Sequence, residues 1–250
     1  MQFKDYFSNR SNDYAIYPPK YPKNLVKTLS NLAPSNTTVL DCGCGTGQLS
    51  VLLSENFDNV IATDASKNQI ENAEARLNIT YKVSRAEENT DITDQSVDLI
   101  TVAQAAHWLN LPVFYSEAQR ILKPSGLVAL ITYGVIILSD KIPNEIIRNF
   151  YYNTLASYWP PERKLVESGY KTLDFPFKEI EFPTVAMHAL WNFNELFGYI
   201  STWSAFKELE KSGGIDKIAE FYQDLQKAWG NLNDRKDISW PISGRIGKKF

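Results

Sequence analysis

Apolar and polar positions change their period along this chain. Leu25, Leu29 and Leu32 recur three and four apart, which predicts a helix over residues 22–33. From Thr38 a different rhythm begins. Thr38-Val39-Leu40-Asp41 is a short apolar run that ends in glycine-rich sequence, so a strand and then a turn are predicted. Gly47 to Asn56 carries Leu49, Leu52 and Leu53 on one face and reads as a helix. Further strands are predicted at 59–64, 80–83, 98–103 and 127–132, and helices at 67–77 and 112–122. Lys123-Pro124-Ser125-Gly126 reads as a turn. Strands alternating with helices imply βαβ units and a parallel sheet. Right-handed crossovers then bring the strand C-termini to one edge, where open α/β sheets take their ligands.

From about Pro143 helical stretches take over. They carry Tyr151, Tyr152, Tyr158, Trp159, Trp191, Phe193, Phe197, Tyr199, Trp203 and Phe206, and Ile238–Ile242 reads as a final strand. Ahead of the alternating core lies a leader dotted with Tyr6, Phe7, Tyr14, Tyr17 and Tyr21 and broken by Pro18, Pro19 and Pro22. The expected organisation is a single domain over 1–250. It comprises a leader or lid at 1–37, a ligand-binding core at 38–135, a helical substrate cap at 136–236 and a final strand at 237–250.

Composition narrows the function. With 250 residues, 44% of them hydrophobic, the chain can bury a sizeable core. Its formal charge is -3 and no Lys/Arg cluster precedes the Gly247-Lys248-Lys249 tail, so a nucleic-acid substrate is not expected. Cys42 and Cys44 stand too close together to reach disulfide geometry and have no partners spaced for zinc. They read as packing thiols in a reducing compartment. The N-terminal MQFKDYFSNR lacks an apolar signal region and no apolar run is long enough to span a bilayer. A soluble, cytoplasmic chain is expected, with no metal and no membrane partner, as a monomer or homodimer.

The strongest chemical signal is Val39-Leu40-Asp41-Cys42-Gly43-Cys44-Gly45-Thr46-Gly47-Gln48, which leaves a strand and enters a helix. Glycines there let the backbone turn sharply and let a ligand approach the main chain. The dinucleotide fingerprint G-x-G-x-x-G/A fits poorly: counted from Gly43 its third small position is Gln48, and counted from Gly45 it is Ser50. Asp41 at the strand end disfavours a diphosphate and favours a ligand carrying an ammonium and a cationic sulfur. Asp64 closes the next strand, where an acid can accept hydrogen bonds from two ribose hydroxyls. A helix cap is the plainer role for Asp64.

These residues carry a family resemblance. Asp41–Gln48 resembles motif I, D-x-G-C-G-T-G-Q, of the class I S-adenosylmethionine (SAM)-dependent methyltransferases. Asp64-Ala65-Ser66-Lys67-Asn68-Gln69 resembles their second acidic motif, Arg85-Ala86-Glu87-Glu88 their A-E segment, and Asp94–Ile100 their D-x-S-x-D-L-I approach to the fourth strand. Gln104-Ala105-Ala106-His107-Trp108 and Arg120–Gly126 complete the set, with Ser125 where a glycine is usual. The match covers about residues 1–135. A small-molecule subgroup resembling trans-aconitate methyltransferase also fits, through the Tyr6-to-Pro22 leader, the His107-Trp108 pair, Thr202-Trp203-Ser204 and Trp240-Pro241. The leader departs from that subgroup in having Tyr17-Pro18-Pro19 where an Arg-Pro pair is frequent. An arginine that would hold an anion is absent there, which counts against a carboxylate substrate.

The resemblance implies a Rossmann-like α/β fold: a mostly parallel seven-stranded sheet, helices on both faces and a helical cap. It implies SAM as cofactor, S-adenosylhomocysteine as product, and methyl transfer to a small organic molecule, with an oxygen of a carboxylate or hydroxyl favoured. The implied cofactor residues are Asp41, Gly43, Cys44, Gly45, Asp64, Ala65, Ala86, Glu87 and Gln104. Candidates facing the acceptor are Tyr14, Trp108, Tyr133, Trp191, Tyr199 and Trp203. His107 is either a general base or a hydrogen-bonded wall, and the wall is preferred because transfer to a carboxylate or thiolate needs no base. Two alternatives stay open: an NAD(P)-dependent reductase, opposed by Asp41 and by the lack of a Tyr-x-x-x-Lys motif, and a non-catalytic SAM-binding module.

Overall fold

A computed structural model of the chain describes residues 20–88 and 91–250. Tyr14 and most of the 1–37 leader therefore lie outside the described residues. Among the described residues nine strands form one sheet: β1 Thr38–Cys42, β2 Asn59–Asp64, β3 Ile79–Val83, β4 Val97–Ala103, β5 Leu122–Tyr133, β6 Ile137–Leu138, β7 Lys178–Ile180, β8 Val185–Trp191 and β9 Lys236–Lys248. The order across the sheet is β3-β2-β1-β4-β5-β9-β6, with β7 and β8 also on β9. The first five are mutually parallel and β9 runs antiparallel to β5.

The expected seven strands become nine for a specific reason. Ile242 of β9 pairs with both Tyr133 of β5 and Val185 of β8, so those two strands take opposite edges of β9. Ser239 pairs with both Ile137 and His188, which puts β6 on the β5 side. Lys248 pairs with both Leu127 and Lys178, which puts β7 on the β8 side. Two lanes are thus each split into two segments along one thirteen-residue strand, and the sheet is seven lanes wide. The final strand extends past the 238–242 run and lies within two residues of the expected 237–250 segment at each end, and the 136–236 segment is not wholly helical, because β6, β7 and β8 belong to it.

Alternate residues of the central strands feed two separate cores. Val39, Val60, Leu99, Leu127, Ala129 and Ile131 face one, covered by the helices Lys23–Leu32, Gln48–Leu53, Phe193–Ser201 and Ile215–Trp229. Leu40, Cys42, Ile100, Val102, Val128 and Leu130 face the other, covered by the helix Leu111–Ile121 and by Val166 and Tyr170. Strands buried on both faces need apolar side chains at every position, which is why they read as continuous apolar runs.

Local chemistry sets the remaining boundaries. The helix expected over 67–77 stops at Glu71, where the Asn72 side chain turns back to donate to the Asn68 carbonyl at 2.8 Å. The helix after the glycine loop spans only Gln48–Leu53. Lys123–Gly126 sits inside β5, as an irregularity between the Val97↔Leu122 and Leu99↔Leu127 pairs, and not as a separate turn. Ser125 there adopts φ +61, the left-handed conformation that favours the glycine usual at this place. At the N-terminal edge of β4, fully buried Asp98 accepts from Ser35 Oγ at 2.7 Å, from the Thr38 N–H at 2.9 Å and from Lys123 Nζ at 2.9 Å. Among the described residues no helix is long and apolar enough to cross a membrane.

Candidate functional site

Strand order reverses between β1 and β4: from β1 the chain moves to β2 and β3 on one side, and from β4 to β5 on the other. The connections leaving those two strands must diverge, so a crevice opens at their C-terminal ends. The β1 exit is the glycine loop. Gly43, Gly45 and Gly47 have φ +67, +56 and +84, all left-handed. The Gly47 N–H donates to the Cys44 carbonyl at 2.9 Å, and the Cys44 N–H donates to Thr63 at 3.0 Å, which pins the loop to β2. A Cβ on Gly43 would lie 2.6 Å from Ala105 Cβ, so this loop and the β4 exit are in contact. Among the described residues a Cβ on Gly45 would meet nothing closer than Gln69 Oε1 at 3.7 Å, and they leave that side of the loop open.

Two carboxylates flank the loop differently. Asp64 Oδ2 accepts the Gly45 N–H at 2.9 Å and Oδ1 accepts the Ser66 N–H at 2.8 Å. Its half-buried carboxylate therefore shapes the loop while staying at the crevice. The cap of the following helix is Ser66, whose hydroxyl accepts from the Gln69 N–H, and not Asp64. Asp41 lies behind the loop, only 1% exposed. Its Oδ1 accepts from Thr101 Oγ1 at 2.7 Å and its Oδ2 from Ser50 Oγ at 2.6 Å. Burial pushes its pKa up to about 6 against these two hydrogen bonds, with a smaller upward push from Asp64. Burial also raises both cysteine thiols, so neither is a thiolate at neutral pH.

The third and fourth strand exits meet the same edge. Ala86 is buried, and Glu87 Oε1 accepts the Asn110 N–H at 2.8 Å, tying the segment after β3 to the one after β4. Ala65 is half-buried beside Asp64. Gln104 holds φ +55; its Nε2 donates to the Tyr133 carbonyl at 3.0 Å and its Oε1 accepts from Thr132 Oγ1 at 3.1 Å. His107 sits on the 3-10 turn Ala106–Trp108 with Nδ1 2.9 Å from the Tyr170 hydroxyl. Burial, aided by the Arg163 charge, lowers the His107 pKa to about 4, so the ring is neutral at pH 7. Tyr170 is fully buried and also left-handed, at φ +62. Strained non-glycine residues are held by their surroundings and cluster at functional sites, and Gln104 and Tyr170 bracket His107.

The acceptor-facing candidates fall into three places. Trp108 is 37% exposed and lies against His107, the ring centroids 4.7 Å apart and the planes tilted by 47°. Tyr133, at the end of β5, is half-buried. Trp191, Tyr199 and Trp203 are brought together: Trp191 and Tyr199 are 5.5 Å apart, Tyr199 and Trp203 6.0 Å, and Trp240 Nε1 donates to the Tyr199 hydroxyl at 3.0 Å. Trp191 belongs to β8 and not to a cap helix. Sequence reasoning missed Tyr170 and Arg163. His107 and Tyr170 are 63 positions apart, and no local pattern couples them.

Comparison with known proteins places this geometry in context. Residues 40–130 match a family model described as a methyltransferase domain. A Dictyostelium discoideum protein that bears a methyltransferase name is 35% identical over 99% of this chain and 96% of its own length. A solved structure from Anaeromyxobacter dehalogenans, described as a type II methyltransferase, has 38% identity and a TM-score of 0.88, covering 94% of this chain and 99% of that one. A Saccharomyces cerevisiae protein named as an S-adenosylmethionine-dependent methyltransferase is 28% identical over 52% of this chain and 44% of its own length.

Proposed function

The chain belongs to the class I SAM-dependent methyltransferases, and from that premise we propose that it methylates an oxygen of a small organic acceptor that is already anionic, such as a carboxylate. Family membership sets aside the nicotinamide-dependent reductase. The relatives described above carry no acceptor in their names, so the acceptor is argued from the site.

The residues fit SAM. The loop leaves open space at Gly45, and Asp64 and Asp41 give the crevice a negative field that suits a cationic ligand. When bound, SAM supplies an electrophilic methyl group on a sulfonium. In this reading Asp64 accepts from the ribose hydroxyls. The backbone of Gly43, Cys44 and Gly45 lies along the amino-acid end. Ala65, Ala86 and Glu87 flank the adenine, and Gln104 holds the β4 exit in place. Asp64→Ala is expected to weaken SAM binding by about 10- to 150-fold, the loss of one charge-assisted hydrogen bond. Calorimetry on a variant with an unchanged circular dichroism spectrum checks this. Undiminished affinity would leave Asp64 as a structural tether for the Gly45 and Ser66 N–H groups.

One observation carries the choice of acceptor. His107, the histidine at the β4 exit, is paired to Tyr170 and pushed down to about 4. A base of that pKa takes little proton at pH 7, and an acceptor that is anionic beforehand needs none taken. What remains for the protein is to orient the acceptor and exclude water. His107→Gln is therefore expected to lower the transfer rate by less than about 10-fold, against about 10²- to 10⁴-fold for a true base. The reading itself is tested with methyl-labelled SAM and a metabolite pool. An oxygen ester releases labelled methanol in alkali, whereas an ether or a methylated nitrogen does not. Label that resists alkali would overturn the carboxylate assignment.

A further inference from the structure

Among the described residues, the segment after β6 holds a cation that no carboxylate approaches within ion-pair distance. The helix Lys141–Asn149 runs into a π-turn, Phe150–Thr154, closed by the Leu155 N–H on the Phe150 carbonyl at 2.8 Å. The wide turn buries two consecutive aromatics on different sides. Phe150 stacks at 3.8 Å on Phe221 in the core, while Tyr151 faces Trp159 at 4.7 Å and Trp203 at 5.3 Å. Over this second group lies Arg163, its guanidinium carbon 5.4 Å from the Tyr151 ring and 4.9 Å from the Trp159 ring. Its Nε donates to the Tyr151 hydroxyl oxygen, and the Tyr151 O–H donates to Glu167 Oε1 at 2.9 Å. Tyr151 thereby fixes the plane of the guanidinium. Glu167 is the acid in this chain of contacts; its charge acts on Arg163 from beyond ion-pair distance, and its hydrogen bond goes to the Tyr151 hydroxyl.

Among the described residues no carboxylate forms an ion pair with Arg163, and its four Nη hydrogens have no acceptor. An arginine does not shed its charge, and taking a guanidinium from water without a counter-ion is costly. Ring faces return only a fraction of that cost. The arrangement is a rigid donor fork left ready for an anion. It lies close to the transfer point: the helix Arg163–Glu167 that begins at this arginine packs on the 3-10 turn Ala106–Trp108 that carries His107.

We propose that Arg163 anchors an anionic group of the methyl acceptor, a carboxylate held by its guanidinium fork, and that Trp159 and Trp203 form the walls against the acceptor's planar or apolar body. This assignment rests on the reading of the chain as a small-molecule methyltransferase and names the class of molecule it takes. It also answers the leader's lack of an anion-binding arginine at Tyr17-Pro18-Pro19: the cation comes from the C-terminal half instead. The fork matches a carboxylate in two parallel hydrogen bonds, which a lysine cannot reproduce.

The test uses the full chain loaded with S-adenosylhomocysteine. Cinnamate and phenylacetate are titrated in and followed by tryptophan fluorescence, with their neutral amides as controls. The acids are expected to bind at least about 10-fold more tightly than the amides. That preference disappears in Arg163→Gln and shrinks in Arg163→Lys, while S-adenosylhomocysteine affinity stays the same in all three. If Arg163→Gln folds poorly, the charge-conserving Arg163→Lys decides, because it keeps the charge and loses the fork. Equal binding of acid and amide, or an acid preference that survives in both variants, overturns the assignment. So does a parallel loss of S-adenosylhomocysteine affinity, which would give the arginine to the cofactor. Acid binding that depends on Arg163, with no alkali-labile methyl product from any pool, would keep the anchor and reject the carboxylate-methylation reading.

Discussion

Gly45→Val is expected to abolish measurable SAM binding in a chain that still folds. Gly45 holds φ +56, where a β-branched residue costs about 1–2 kcal/mol or more. That cost alone lowers the melting temperature by a few degrees in a chain of this size. Among the described residues an added Cβ meets no atom nearer than 3.7 Å. The open space it enters is the space assigned to the ligand. Relaxing the strained backbone would also turn the Gly45 N–H away from Asp64 Oδ2 and disturb the second cofactor contact. Gly43→Val is the less informative variant: its Cβ would stand 2.6 Å from Ala105 Cβ, so any loss of binding would be mixed with a loss of fold. Gly45→Ala, with the same φ penalty and no branches, should fall between wild type and Gly45→Val. Calorimetry with SAM beside a thermal melt separates the two effects. Normal SAM affinity in a folded Gly45→Val chain would move the ligand off this loop.

The part of the fold that was legible is the part whose strands are buried on both faces. β1, β2, β4 and β5 announce themselves as apolar runs punctuated by glycine, proline or acidic residues. β7 and β8 were not legible. β8, Val185–Trp191, alternates little, lies on an outer lane and is defined only by pairing with β9, far along the chain. The same division holds at the site. The glycine loop and Asp64 follow strands in sequence, so their convergence could be read from topology. The His107–Tyr170 contact and the Arg163 cluster depend on how the C-terminal half folds back over the sheet. Asp41 shows a third kind of limit. Its position at a strand end was visible, but its enclosure by Ser50 and Thr101, one on the following helix and one on β4, was not.

That enclosure leads to a variant in which stability and function should move in opposite directions. Asp41 has a folded-state pKa of about 6 against 3.8 for the free side chain. The folded chain thus holds this proton more tightly than the unfolded chain does. The stability that accompanies the proton is complete below about pH 4 and is lost as pH rises through about 6. At pH 7–8 the buried carboxylate therefore costs the ligand-free protein about 3 kcal/mol at most. Asp41→Asn removes the charge and can still accept from one of the two hydroxyls, so the ligand-free variant should gain about 1–3 kcal/mol at pH 7.5 and nothing near pH 4. SAM affinity should move the other way. SAM is cationic, and the attraction of one nearby carboxylate is lost with the charge, so the variant should bind SAM at least about 10-fold more weakly. Wild-type affinity should climb with pH through about 6, as Asp41 ionises, and level off above 7; in the variant this rise should be absent. Denaturant melts and calorimetry across pH 5–8 measure both quantities on the same samples. A raised stability with SAM affinity unchanged would make Asp41 a structural acid only. A lowered stability at pH 7.5 would mean that its hydrogen bonds to Ser50 and Thr101 outweigh the burial of its charge.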